Sequence, residues 1–140
     1  MTRTVSEEKK ALRRQVKERV AQLPKDYCQK SDAAIRQYVL SLPEYGQARR
    51  IFCYAGTPSE IQTLPLIAQM LSDGKEVGVP YCISLGKMEV RQIRSLSDLK
   101  PGRYGILAPD TTCPVMAAHT IDLGLIPCCT CNEKGQRLGY

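Results

Sequence analysis

Apolar residues recur with helical spacing through the first third of the chain, and the rhythm changes near residue 50. Val5, Leu12, Val16, Val20 and Leu23 fall on one stripe at about 100° per residue. This predicts a helix from about residue 5 that lies with one face on a core. Thr4 and Glu7 have the spacing of a capping box that would open it, and Pro24 limits it. A second helix is expected from Asp26 to Leu42, with Ala34, Ile35, Tyr38, Val39 and Leu42 inward and Pro43 ending it. Arg50-Ile51-Phe52-Cys53-Tyr54 then reads as a short buried strand. The loop Ala55-Gly56-Thr57-Pro58-Ser59-Glu60 leads to a helix over 63–73, with Thr63 as N-cap, Pro65 in the first turn and Gly74 as the stop. Glu76–Pro80, Met88–Ile93 and Ile121–Ile126 are the remaining strands, separated by a turn-rich stretch over 95–120. Asn132-Glu133-Lys134-Gly135 forms a last turn.

The succession strand–helix–strand predicts an α/β fold, a mainly parallel sheet flanked by helices with two helices at the N-terminus. In such sheets ligands bind beyond the carboxyl ends of the strands. The chemistry is therefore expected in the loops 55–62 and 127–140.

The length of 140 residues suits a single domain spanning 1–140, large enough to hide roughly 68–70 % of the unfolded chain's surface. With 43 % hydrophobic and 24 % charged residues, disorder, collagen and coiled coil are excluded. No apolar run is long enough to span a bilayer, and MTRTVSEEKKALRRQ lacks the apolar stretch of a signal peptide. A cytoplasmic protein with no membrane partner is expected. Seven cysteines, an odd number with Cys128 and Cys129 adjacent, fit free thiols in a reducing compartment better than a disulfide scaffold. The net charge of +6 is localised: residues 1–50 hold 12 Lys/Arg against 6 Asp/Glu, whereas 51–140 hold 8 of each. A basic first helix points to an anionic partner, or is simply a solvated face.

Lys9 and Arg13 lie roughly 60° and 100° from Leu12 on the helical wheel, bordering the apolar stripe. Two like charges one turn apart repel, and a phosphate held between them would relieve that. Both side chains could equally snorkel to water. Glu60, after a strand and before a helix, can accept paired N–H donors from a heterocycle, bind a metal, or face the helix dipole. Gly135-Gln136-Arg137-Leu138-Gly139-Tyr140 reads as the start of a phosphate-binding loop or as a plain hairpin turn. Cys113, His119, Cys128, Cys129 and Cys131 have poor spacing for zinc, so no metal ligand is assigned and buried thiols are expected instead. With one histidine and no evident companions, no residue is assigned as a catalytic nucleophile or base.

Taken in order, several segments resemble the 5-formyltetrahydrofolate cyclo-ligase (5,10-methenyltetrahydrofolate synthetase) family. They are Lys9-Lys10-Ala11-Leu12-Arg13, Leu42-Pro43-Glu44-Tyr45, Ser59-Glu60-Ile61-Gln62-Thr63 and Gly74-Lys75-Glu76-Val77 with Val79-Pro80. Further along stand Met88, Pro101-Gly102-Arg103-Tyr104-Gly105-Ile106, Ile121-Asp122-Leu123, Pro127 and Gly135–Tyr140. The ordered set is specific, although no single motif is.

The resemblance implies a monomer that uses ATP and Mg²⁺ to convert 5-formyltetrahydrofolate to 5,10-methenyltetrahydrofolate. It implies that Lys9, Lys10, Ala11, Leu12 and Arg13 contact ATP, together with Arg137, Leu138, Gly139 and Tyr140. Arg13, Ala55, Glu60 and Tyr140 would contact the folate. In the family a Gly-Gly-Gly-Tyr-Tyr-Asp-Arg stretch, whose Asp is the expected Mg²⁺ ligand, follows the position of Tyr140. The chain is therefore expected to be an incomplete, C-terminally truncated member with impaired turnover. Cys128-Cys129-Thr130-Cys131-Asn132 stands where the family commonly has Gly-Val-Ala-Phe-Asp, and Ala108 replaces a usual Glu. A non-catalytic folate- or nucleotide-binding fragment is the alternative. Nucleic-acid binding is not expected, because one Phe and no Trp provide few stacking platforms.

Overall fold

The structure is a computed structural model that describes residues 4–102 and 105–140. Arg103 and Tyr104, part of one family-like segment, lie outside the described residues. The chain forms two compact units, one from residues 1–29 and 127–140, the other from residues 30–126.

The first unit contains helix α1 (Val5–Ala21), which opens with the expected capping box. The Thr4 hydroxyl accepts from Glu7 N at 3.2 Å, and the Glu7 carboxylate accepts from Thr4 N at 3.3 Å. The predicted core-facing stripe is not buried: no residue of α1 is, and Val5 and Leu12 stay 66 % and 42 % exposed. The reason is the shortage of apolar partners. Besides residues 25–29, which begin the next helix, the described residues of this unit add only a two-residue ladder, β7 (Thr130–Cys131) against β8 (Arg137–Leu138), where only Leu138 is a large apolar side chain. Gly135, at φ +80°, makes the hairpin turn, so the segment Gly135–Tyr140 begins as a hairpin.

The second unit is built on a four-stranded sheet in the order β3-β2-β1-β6. Its strands are β1 (Arg50–Cys53), β2 (Glu76–Ser84), β3 (Lys87–Ile93) and β6 (Leu123–Leu125). β1 pairs in parallel with both β2 and β6, while β2 and β3 form an antiparallel hairpin. The mainly parallel α/β expectation therefore holds, and β2 runs further than Pro80 because the hairpin with β3 prolongs it. β4 (Lys100–Pro101) and β5 (Leu107–Ala108) form a short separate ladder within the turn-rich stretch.

Helix α2 (Lys25–Ser41) buries only Val39. Tyr38 and Ile35, expected inward, are 66 % and 41 % exposed, and Ala34 is exposed. The helix instead turns Asp32, Ile35, Arg36 and Val39 toward an open cleft. Pro43 does not simply stop the chain's helices: it starts the short α3 (Pro43–Gln47).

Helix α4 (Leu64–Ser72) packs Leu66, Ile67 and Met70 into a core with Ile51, Cys53, Val77, Val79 and Ile93. It ends in a Schellman motif, with Gly74 N–H on the Leu71 carbonyl and Lys75 N–H on that of Met70. Gly74 has φ +82°, a conformation that costs a residue with a Cβ. Burial pushes the Cys53 thiol up to about 12, so it stays protonated as a small apolar core group.

Three aspartates tie this unit together. The Asp122 carboxylate accepts from Arg50 N at 3.0 Å and Arg49 N at 2.9 Å, joining the entries of β6 and β1. Those two backbone donors hold its carboxyl below the usual range. The Tyr45 hydroxyl, donating at 2.5 Å, does the same for Asp73. Asp110 is lowered to about 2, mainly by the Thr112 hydroxyl and then by its N–H. A depressed folded pKa contributes stability that is present above the unfolded value near ~3.9 and is lost as pH falls through the folded value. The denaturation midpoint is expected to hold from neutrality to about pH 5 and to fall between about pH 4 and about pH 2. Urea titrations across that range check it; a midpoint flat down to pH 2 contradicts it. Asp122→Asn is expected to lessen the acid-dependent fall.

Candidate functional site

At the carboxyl end of β1 the chain makes a tight loop. A Cβ on Gly56 would lie 2.3 Å from the Ile61 carbonyl oxygen, so only glycine permits this approach of two backbone segments. The Glu60 carboxylate accepts from Thr57 N at 2.9 Å, while Glu60 N donates to the Thr57 carbonyl at 3.0 Å. The Gln62 side-chain amide donates to the carbonyls of Thr57 at 2.7 Å and Glu60 at 3.0 Å. Thr63 occupies the N-cap position of α4 but does not cap it. Its hydroxyl is spent on the loop, donating to the Tyr54 carbonyl at 2.5 Å and accepting from Gly56 N at 3.0 Å. Glu60 is thus a half-buried carboxylate with one oxygen engaged by its own loop, and Ala55, at the start of that loop, is buried.

Next to this loop, within the same unit, lies a cleft of about 230 Å³. Asp32, Ile35, Arg36 and Val39 of α2 form one wall, and Gly124, Leu125 and Ile126 at the end of β6 another. Tyr54, Ile61, Gln62, Thr63 and Leu66 complete it. Asp32 accepts from Gln62 N at 3.3 Å, tying α2 to the loop. An apolar floor with a few polar groups at the carboxyl ends of two parallel strands suits a flat, partly polar small molecule. The sequence points to the loop and, of the wall, to Ile35 and Val39 but not to Asp32 and Arg36. Asp32, Ile35, Arg36 and Val39 do share a helical face, but its mixed charged and apolar character conceals the charged pair. Ala55 and Glu60 are not among the residues lining the cleft.

In the first unit, Lys9, Lys10 and Leu12 are exposed on α1, and Ala11 and Arg13 are half-buried. The Arg13 Nε donates to the Gly139 carbonyl at 2.8 Å, across 126 positions of sequence. The structure therefore brings the α1 segment to the Arg137–Tyr140 segment, with Arg137 and Leu138 in β8 and Gly139 and Tyr140 just beyond it. Among the described residues, no salt bridge engages Lys9, Lys10 or Arg13. Their charge stays available to an anion.

Among the described residues, no three His, Cys, Asp or Glu side chains converge on a point that could hold a metal ion. These side chains alone build neither a zinc site nor an all-protein Mg²⁺ site, so Mg²⁺ here would be held largely by the nucleotide's phosphates. Cys113 is buried, His119 exposed, and Cys128, Cys129 and Cys131 lie at and near the start of the β7–β8 hairpin.

The profile of the 5-formyltetrahydrofolate cyclo-ligase family matches residues 5–140. The chain belongs to this family. It is 30 % identical over 111 residues to a probable 5-formyltetrahydrofolate cyclo-ligase of Schizosaccharomyces pombe, covering 76 % of this chain and 54 % of that protein. It is 29 % identical over 112 residues to the 5-formyltetrahydrofolate cyclo-ligase of Haemophilus influenzae, covering 78 % and 60 %. The chain thus spans a little over half the length of these two relatives. Its fold is that of Aquifex aeolicus 5,10-methenyltetrahydrofolate synthetase, with a TM-score of 0.84 at 22 % identity over 94 % of this chain and 66 % of the other. The corresponding synthetase of Mycoplasma pneumoniae superposes with a TM-score of 0.71 at 19 % identity, over 94 % and 71 %. Among the described residues, no helix of this cyclo-ligase family member is long and apolar enough to cross a membrane.

Proposed function

We propose that the chain acts as a 5-formyltetrahydrofolate cyclo-ligase, a cytoplasmic monomer that consumes ATP to close the 5,10-methenyl bridge. The observation that carries this reading is the family match over residues 5–140. It is supported by the meeting of Arg13 with Gly139, which unites two family-like segments.

The chemistry follows from the substrate. A formamide oxygen is a poor leaving group, so it takes the terminal phosphoryl group of ATP and ADP leaves; the folate N10 then attacks the resulting iminium carbon, and loss of the N10 proton and of phosphate completes the methenyl bridge. Phosphoryl transfer is accelerated chiefly by positioning and charge neutralisation. In this reading Lys9 and Arg13 neutralise the nucleotide phosphates, flanked by Lys10, Ala11 and Leu12 along the helix. Backbone groups of Arg137–Tyr140 and the Arg137 guanidinium supply further donors. Glu60 accepts paired N–H groups of the pteridine, with Ala55 as an apolar wall. The scheme uses no protein nucleophile. MgATP is the form of nucleotide to supply in assays.

Release of inorganic phosphate from ATP tests the proposal, because it must depend on 5-formyltetrahydrofolate. Phosphate release that ignores the folate overturns it. Glu60→Gln keeps an acceptor oxygen for Thr57 N but removes the charge that two ring donors would share. It is expected to weaken 5-formyltetrahydrofolate binding about tenfold, roughly 1.4 kcal/mol, and to leave nucleotide affinity unchanged. Calorimetric titration of each ligand checks this; equal folate affinity in both proteins removes Glu60 from the site.

A further inference from the structure

The hairpin that carries Arg137 and Leu138 also carries three thiols within four residues, a feature the proposed reaction does not use. The chain bends at Cys129, whose N–H donates to the Leu138 carbonyl at 2.7 Å. Thr130 and Cys131 then pair with Leu138 and Arg137. Cys129 and Thr130 thus both oppose Leu138, a bulge that leaves the half-buried Cys128 and the exposed Cys131 on the same side of the strand. The other pairings are poorer. Adjacent Cys128 and Cys129 could be joined only by distorting their peptide bond. Cys129 and Cys131 are two residues apart along extended chain, where Cα atoms stand roughly 6.6 Å apart and Cβ atoms exceed the ~4 Å a disulfide spans.

We propose that Cys128 and Cys131 are a reversible dithiol–disulfide pair, closed by exchange with low-molecular-weight disulfides. This goes beyond the ligase reading and does not depend on it. The exposed Cys131 loses its proton and its thiolate attacks one sulfur of the small disulfide, releasing the first small thiol. Cys128 then loses its proton and attacks the Cys131 sulfur of the mixed disulfide, releasing the second. The two cysteines are oxidised, the small disulfide is reduced to two thiols, and the cysteine protons end on those thiols. Burial and the neighbouring Cys131 push the Cys128 thiol above its ordinary pKa, so Cys131 attacks first and Cys128 resolves. Proximity compensates for the low thiolate fraction of Cys128 in the second step.

The test is incubation of the full chain with oxidised glutathione near pH 8, followed by alkylation and mass mapping. The expected product has lost one hydrogen pair, with Cys128 and Cys131 protected and Cys129 alkylated, and a dithiol reductant reverses it. Cys128→Ser is expected to stop at the mixed disulfide and to accumulate at least about tenfold more glutathione on Cys131 than the unmodified sequence. Cys129→Ser is expected to close within about twofold of the original rate. Far-ultraviolet circular dichroism verifies that each variant is folded. The proposal is overturned if the bond maps to Cys129, if it links two chains, or if the original chain accumulates glutathione on Cys131 as the Cys128→Ser variant does.

Discussion

Arg13→Ala weakens ATP binding by roughly 30-fold, about 2 kcal/mol, if the α1 cations hold the nucleotide phosphates as proposed. The magnitude is that of a charge-assisted hydrogen bond lost from a partly exposed site. Arg13 has a second task, because its Nε already donates to the Gly139 carbonyl at 2.8 Å. The substitution therefore removes both a phosphate contact and the tether to the second segment, and a companion variant separates the two. Lys9→Ala removes charge without touching Gly139 and is expected to cost about 1 kcal/mol, roughly fivefold. Arg13→Lys retains charge but not the planar fork that can serve a carbonyl and a phosphate together, so it should fall between the original chain and Arg13→Ala. Isothermal titration of ATP into each protein checks the order. If all three variants bind within about twofold of the original, phosphate does not rest on this helix, and these cations are a solvated face.

The largest structural effect is expected at Ile67. Its side chain is fully buried between α4 and the sheet, in the cluster with Ile51, Met70 and Val77. Ile67→Ala loses the transfer energy of the removed carbons and leaves a cavity that close-packed neighbours only partly refill, a cost of about 3 kcal/mol. Urea denaturation should show the midpoint falling with little change in slope. Leu12→Ala provides the contrast. Although Leu12 lies on a regular apolar stripe, it is 42 % exposed, and its loss should cost well under about 1 kcal/mol. Equal costs at the two positions would contradict the packing described for the two units.

That contrast shows what the sequence could reveal. The change of period near residue 50 identifies the strands because alternating and contiguous apolar residues at Ile51–Cys53 and Val77–Val79 have no helical reading of that length. The capping box of Thr4 and Glu7 and the Gly74 stop were legible because both depend on local backbone chemistry alone. Burial of α1 was not. Periodicity says which face is apolar, not whether the unit contains enough apolar surface to cover it. Thr63 misled for a related reason, since its hydroxyl had a choice between the helix N-terminus and the Tyr54 carbonyl, and the loop won. The Arg13–Gly139 contact joins positions with no local signal between them, and only the family resemblance brought both segments into one expectation. Of the cleft wall on α2, Asp32 and Arg36 stayed hidden because they interrupt its apolar pattern.

Formation of the methenyl chromophore from 5-formyltetrahydrofolate is the most direct measurement of the central claim. It is followed by absorbance with and without MgATP, in the original chain and in Arg13→Ala. ATP-dependent formation of the chromophore is expected from the original chain, abolished or strongly reduced by Arg13→Ala. Folded protein that produces no chromophore, or produces it equally without ATP, contradicts the central claim.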